Sequence, residues 1–361
     1  MNKKKIGIVT ITGEANYGNR LQNYAMDHIL KAWGADVYTF YEPIKRPFSL
    51  KRWAKRTIKF VFGLRDGYML RRIRKFTQLD KKCLQLADYR SASDFDYVLL
   101  GSDQIWNPNF RIIRQSLDFF FGTFVEPEKR VAYAASIGAD HIPAELQDAY
   151  MQRLQALKAI SVREEQGAQI VRELTGRIVP VMVDPTMLLT AQDWSILEKK
   201  IRYQVADRFL LTYFLGEVSP ERQAYIQGIV NRYGLQWVQL ENDLVSRPNN
   251  VAYYMTTPDE FIWLVHHCRL MLTDSFHGSV FSILFNKPFR CFGREESGVA
   301  DMSSRMDTLF GKFGIGDWCR GSVQEDPDHI FYKDYASVPA VLERERQFAL
   351  DYLKNALEIH E

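Results

Sequence analysis

Lys5-Ile6-Gly7-Ile8-Val9-Thr10-Ile11 opens the unit that decides the fold. The stretch hardly alternates and is rich in Ile and Val, as expected of a strand buried on both faces of a parallel sheet. A turn-rich loop, 12–19, follows. Leu21, Tyr24, Ala25, His28, Ile29 and Ala32 then recur at helical spacing until Gly34 stops the helix. Residues 35–41 read as the next strand, which completes a β-loop-α-β unit.

Working outward, strands are expected at 97–101, 130–135, 159–162 and 178–183, with helical stretches between several of them. Val183-Asp184-Pro185 closes this first half. After a short helix near 193–200 the pattern restarts with a strand at 208–215 ending on Gly216, a helix over 219–233 and a strand at 235–240. Thr257-Pro258-Asp259-Glu260 carries an N-cap Thr, Pro at the first helical position and Glu at the third, the pattern of a capping box. That helix runs to about His267 and delivers the chain into a strand at 270–273. Near the end, Val341, Leu342, Phe348, Ala349, Tyr352, Leu353, Ala356 and Leu357 form one apolar stripe of a helix that packs across a domain surface. The expected fold class is α/β with two doubly wound, Rossmann-like domains, 1–190 and 191–330, and a C-terminal helix in 331–361.

With 361 residues, 46% of them apolar, the chain can fill two cores of that size. Its four cysteines, Cys83, Cys268, Cys291 and Cys319, lie far apart with no CxxC pair, which fits a reduced cytosolic chain and not a structural zinc site. The basic-then-apolar start at 1–10 is too short in its apolar part for a signal peptide and reads as the first strand. No run approaches the ~18 apolar residues of a membrane-spanning helix. The net charge of +3 conceals an asymmetry: residues 44–78 hold twelve Lys or Arg against Asp66 alone. Within them Leu50, Trp53, Ala54, Thr57, Ile58, Val61 and Phe62 share one helical face and Lys51, Arg52, Lys55, Arg56 and Lys59 the other. Such a helix over 50–62 either lies on a membrane surface or packs on the domain with a solvated basic face. No recognition motif accompanies the charge, so a nucleic-acid partner is not expected.

Ligands of open parallel sheets lie outside the carboxyl ends of the strands, so polar clusters directly after strands are the candidate sites. The first is 16–22, where Asn16, Gly18, Asn19 and Gln22 offer amides to an anion or a sugar hydroxyl, or simply turn and cap the chain. The second is 101–108. There Ser102, Asp103 and Trp106 pair a carboxylate and hydroxyl with an indole face able to grip a sugar, and Asp103 could take a proton from an attacking hydroxyl; the alternative is an Asx-type cap. The third is 161–165, where Arg163 either clamps a phosphate or carboxylate or pairs with an acid such as Glu164. The fourth is 273–279, which sets His277 near a helix N-terminus, where the dipole favours anions and lowers an imidazole pKa. His266 and His267 are expected to be packing and surface residues, since adjacent helix positions point about 100° apart. No metal site is expected.

In this order the clusters 16–25, 101–107, 160–164, 183–185 and 273–278 resemble the polysaccharide pyruvyl transferase family. The resemblance implies a GT-B-like architecture with a cleft between the two Rossmann-like domains. It implies transfer of the enolpyruvyl carbons of phosphoenolpyruvate, a co-substrate with no further cofactor, onto two hydroxyls of a polymeric or lipid-linked sugar. His277 and Asp103 would be catalytic, and Arg163, Ser275, His277 and Gly278 would hold the donor. Asn16, Gly18, Asn19, Gln22, Ser102, Asp103 and Trp106 would face the acceptor. Many members carry Arg two residues before the His, where this chain has Ser275, so either Arg294 or Arg305 supplies the missing charge or the donor differs from phosphoenolpyruvate. The implied setting is cell-surface polysaccharide assembly, in the cytoplasm or at the inner face of the membrane. Two other functions stay open: a GT-B glycosyltransferase using a nucleotide sugar, and a non-catalytic sugar-binding member.

Overall fold

In a computed structural model, residues 3–12, 16–41, 74–77, 82–240, 252–295 and 303–359 are described. The basic helix expected over 50–62 lies outside them. The first sheet holds six parallel strands, β1 Lys5–Val9, β2 Asp36–Tyr41, β3 Leu86–Asp88, β4 Tyr97–Leu100, β5 Arg130–Ala135 and β6 Ala159–Val162. They lie in the order β3-β2-β1-β4-β5-β6, the doubly wound order of dinucleotide-binding folds. The second sheet holds β7 Phe209–Tyr213, β8 Gln236–Leu240, β9 Ala252–Tyr254, β10 Leu270–Thr273 and β11 Phe289–Cys291. It is again all parallel, in the order β11-β10-β7-β8-β9. The architecture is therefore α/β with two parallel-sheet domains.

The central strands β4, β5, β7 and β10 are buried at every residue, which is why they read as apolar runs without alternation. The strand expected at 178–183 shrinks to a single bridge between Val162 and Val181. Pro180 has no N–H to donate and contributes only its carbonyl, to Val162 N–H at 3.1 Å. The capping box at Thr257 is present: Glu260 Oε2 accepts from Thr257 N–H at 2.9 Å, and Pro258 opens the helix Pro258–His267.

An apolar seam joins the domains. Tyr17, first residue of the helix Tyr17–Ala32, stacks on Phe261 with ring centres 4.6 Å apart and meets Tyr213 edge-on at 5.3 Å. Its hydroxyl hydrogen-bonds Thr256 Oγ1 at 2.7 Å. Phe76, at the end of the basic segment, is buried against the same ring at 4.7 Å. The C-terminal helix Val338–Ala356 returns to the first domain, where Tyr352 Oη donates to Ala132 O at 2.8 Å and Arg346 Nε to Met187 O at 3.1 Å. Phe348, expected on its buried stripe, stands half exposed. Among the described residues no helix is long and apolar enough to cross a membrane.

Candidate active site at the domain seam

Strand order reverses between β1 and β4 in the first sheet and between β7 and β10 in the second. Loops diverge at such switch points and leave a crevice at the carboxyl ends of the strands. The chain around 16–22 follows β1, 101–107 follows β4, Arg163 follows β6, and 274–278 follows β10. Three of the four clusters thus belong to the first domain and one to the second, and the seam brings them together.

Asp184 is the common partner of the last three. It caps the turn Pro185–Met187, and its Oδ1 accepts from Thr186 N–H at 3.0 Å and Thr186 Oγ1 at 2.7 Å. Its Oδ2 accepts from Arg163 Nη1 at 2.8 Å and Ser102 Oγ at 3.3 Å, and His277 Nε2 lies 3.4 Å away. Arg163 Nη2 stands 3.7 Å from Asp103 Oδ1, and the guanidinium lies 4.5 Å over the Phe276 ring. Asp103 accepts from Asn19 Nδ2 at 3.1 Å and Gln104 N–H at 2.8 Å. Its φ of 71° is a left-handed conformation that Asp tolerates better than most side chains, and it turns the carboxylate off the end of β4. His277 occupies the first turn of the helix Phe276–Leu284. Across the seam it presses on Gly18, where a Cβ would stand 1.8 Å from His277 Nδ1. Only a glycine admits the ring in that position.

The charges are held firmly. Burial pushes the Asp184 carboxyl up, but His277, Arg163 and the Thr186 N–H outweigh it and keep the group well below the usual carboxylate range. Asp103 is likewise pushed up by burial and brought down further by Arg163 and His277. Arg305 is buried at the same place, and burial, then the positive charge of Arg163, draw its guanidinium down to about 10. Arg163 Nε, Arg163 Nη2 and His277 Nε2 are buried nitrogens with no hydrogen-bond partner. Such groups in a native fold call for an explanation.

Other expected site residues are spent on structure. Trp106 corrects the expectation of a sugar platform: it is fully buried, stacks on Phe121 at 5.1 Å and donates its indole N–H to Phe120 O at 3.2 Å. Gln22 is a correction too, since it is buried and bonds Thr10 Oγ1 at 2.7 Å, Asn19 O at 3.0 Å and Ser102 N–H at 3.1 Å. Ser102, buried, turns its hydroxyl to Ala134 O at 2.9 Å and Asp184. Asn16 Oδ1 and Ser275 Oγ cap their helices, taking Asn19 N–H at 3.4 Å and Gly278 N–H at 3.3 Å. Gly278 packs on Thr273 and Met271, where a Cβ would meet Thr273 Oγ1 at 2.6 Å. Arg294 Nε is 3.5 Å from Asp274, whose carboxylate also holds the N–H groups of Leu215 and Gly216 at 2.6 and 2.9 Å. Glu164 is not the partner of Arg163: its Oε1 accepts from Ser136 Oγ and from the N–H groups of Ile137 and Gly138 at 2.7–3.1 Å. Sequence reasoning missed Asp184 as a site residue. Its one signal was the strand-ending triplet Val183-Asp184-Pro185.

A family model described as polysaccharide pyruvyl transferase matches residues 16–296. Among curated proteins none matches the chain. Similar solved structures include Arabidopsis thaliana UGT89C1 complexed with UDP-L-rhamnose, at 10% identity and TM-score 0.46, covering 99% of both chains. A putative UDP-N-acetylglucosamine 2-epimerase from Listeria monocytogenes is similar at 10% identity and TM-score 0.48, over 98% of this chain and 91% of that one. A glycosyltransferase from Rickettsia africae is similar at 11% identity and TM-score 0.47, over 98% and 100%. Likenesses this distant say nothing about what this chain binds.

Proposed function

The chain belongs to the polysaccharide pyruvyl transferase family, and from that premise we propose that it moves the enolpyruvyl carbons of phosphoenolpyruvate onto two hydroxyls of a sugar. The products are a pyruvate ketal and phosphate. The observation that carries this reading is the group of buried nitrogens on Arg163 and His277 at the domain seam that make no hydrogen bond, although Arg163 Nη2 and His277 Nε2 stand 3.7 and 3.4 Å from carboxylates. A buried donor without an acceptor costs about 1–3 kcal/mol. A donor molecule bearing a carboxylate and a phosphate supplies the acceptors. Arg305 stands in for the cation absent at Ser275, because an anion between it and Arg163 relieves their mutual repulsion.

In this reaction one sugar hydroxyl oxygen bonds to the central enol carbon while the terminal carbon takes a proton and becomes a methyl group. The second hydroxyl oxygen then bonds to the same carbon as the C–O bond to phosphate breaks. Of the two hydroxyl protons released, one balances the methyl group and the other leaves with the phosphate or to solvent. His277, steadied by Asp184, delivers the proton to the carbon or meets the departing phosphate. Asp103 is held ionised and takes the proton of the attacking hydroxyl. Asn19, which donates to Asp103, faces the sugar. Arg163, Arg305 and the amides at the start of the helix Phe276–Leu284 balance the charge of the donor.

The acceptor belongs to cell-surface polysaccharide assembly, as a polymer or a lipid-linked precursor. The twelve cations of 44–78 support docking on an anionic membrane surface from the cytoplasmic side. Liposome co-sedimentation that survives neutralising Lys51, Arg52, Lys55 and Arg56 contradicts that part. For the reaction, the protein is incubated with phosphoenolpyruvate and a pool of glycan acceptors in deuterium oxide and followed by NMR. The expected result is a ketal methyl group carrying one deuterium, formed in step with phosphate. Sugar transfer from a nucleotide sugar alone, or glycan binding with no phosphate release, overturns the reading.

A further inference from the structure

Glu198 follows the helix Ala191–Leu197 on the linker between the two sheets, and His266 and His267 end the helix Pro258–His267. Adjacent helical residues point about 100° apart, which argues against a shared target. The two rings overcome this by using different atoms. His266 offers Nδ1, close to its backbone, at 2.8 Å from Glu198 Oε2. His267 reaches back with the distal Nε2 to 3.4 Å from Glu198 Oε1. All three ligand atoms lie within 4.8 Å of one another. Both rings are braced, His266 on Phe285 at 4.4 Å and 13°, His267 on Trp263 at 4.7 Å and 26°.

Ligands of a tetrahedral ion with bonds of about 2.0–2.1 Å stand about 3.3 Å apart. The 2.8 and 3.4 Å contacts reach the two different oxygens of Glu198, and the three ligand atoms lie within 4.8 Å of one another, so an ion enters after small shifts of the three side chains toward that spacing. The C-terminal end of the helix carries the negative end of its dipole, which favours a cation there. Lys199, next in sequence, lies 3.7 Å from Glu260 and directs its charge to that carboxylate. Two imidazoles and one carboxylate suit zinc-like transition ions and not magnesium or calcium, which prefer an all-oxygen shell. We infer that Glu198, His266 and His267 form a binding site for one zinc-like divalent ion. The ion fastens the inter-domain linker to the helix that presents Phe261 to Tyr17 at the seam. It stands apart from the Arg163–Asp184–His277 cluster and takes no part in the proposed transfer.

The test is calorimetric titration of ZnCl2 into the chelator-stripped full chain, with cobalt absorption spectra as a second readout. One equivalent is expected to bind the wild type and to raise its melting temperature. Losing even an outer partner of a metal site costs about 10–100-fold in affinity. Each of His266→Ala, His267→Ala and Glu198→Gln is therefore expected to weaken binding by about a hundredfold or more. Glu198→Gln keeps the side-chain size and a hydrogen bond to His266, so its metal-free melting temperature stays at the wild-type value. Absence of stoichiometric binding in the wild type, or binding that survives the three substitutions, overturns the proposal.

Discussion

Asp184→Asn removes one charge from the centre of the site, and its cost follows from the contacts. The amide cannot turn freely, because the Thr186 N–H and hydroxyl, at 3.0 and 2.7 Å, both require an oxygen at the Oδ1 position. The new NH2 group is therefore forced toward Arg163 Nη1, and toward Ser102 Oγ, which can rotate to accept. Arg163 stays buried with Asp103, 3.7 Å away, as its remaining carboxylate in the cluster. Removing one partner of a buried pair costs about 3–5 kcal/mol, and the surviving Asp103 contact places this case near about 3. The assay is urea unfolding followed by tryptophan fluorescence between pH 8 and 4. The folded Asp184 carboxyl lies below its unfolded value of about 3.9. Its stabilisation is therefore complete above the unfolded value and lost only as pH falls through the folded one. The gap between wild type and variant should stay open from pH 8 to about 5 and close only in stronger acid. A gap under about 1 kcal/mol at pH 7, against the expected loss for a broken buried pair, or one that shrinks between pH 8 and 6, refutes this account of the cluster.

Three further substitutions separate roles within the site. Gly18→Ala puts a methyl group into the His277 ring; overpacking should cost about 1–3 kcal/mol in urea unfolding, while calorimetry shows phosphoenolpyruvate affinity down about tenfold or more, as for a lost charge-assisted contact. Asp103→Asn tolerates the left-handed backbone and should lower turnover by about 10²–10⁴ while donor binding persists; a parallel loss of binding would make Asp103 a structural residue. Trp106→Ala should cost about 3–5 kcal/mol in urea unfolding and leave the acceptor KM unchanged, whereas a sugar platform predicts unchanged stability and a raised KM.

The domain pattern was legible because its strands are fully buried and its helices carry caps: β1, the helix Tyr17–Ala32 and the Thr257 capping box follow from local residues. Strand order was not legible, since it depends on pairings between distant segments. Edge strands β3, β9 and β11 have three residues each, too short to show a period. Asp184 escaped for a related reason. Its partners Ser102 and Arg163 lie 82 and 21 positions away, and nothing local distinguishes it from a turn-capping Asp. Trp106 misled because an indole beside Asp and Gln reads the same whether it faces a sugar or the core. The two histidines show the limit of helical-wheel reasoning, which fixes where Cβ points and not which ring nitrogen arrives.

Calorimetric titration of phosphoenolpyruvate into the wild type and into Arg305→Ala is the most direct test of the donor site. A thermal melt of Arg305→Ala run alongside separates loss of donor binding from loss of fold. The account predicts saturable one-to-one binding, competed by phosphate and not by UDP. Arg305→Ala should weaken it about tenfold or more, the value of one charge-assisted contact of about 1.5–3 kcal/mol. No binding to the wild type, or displacement of the donor by UDP with the variant unaffected, would contradict it.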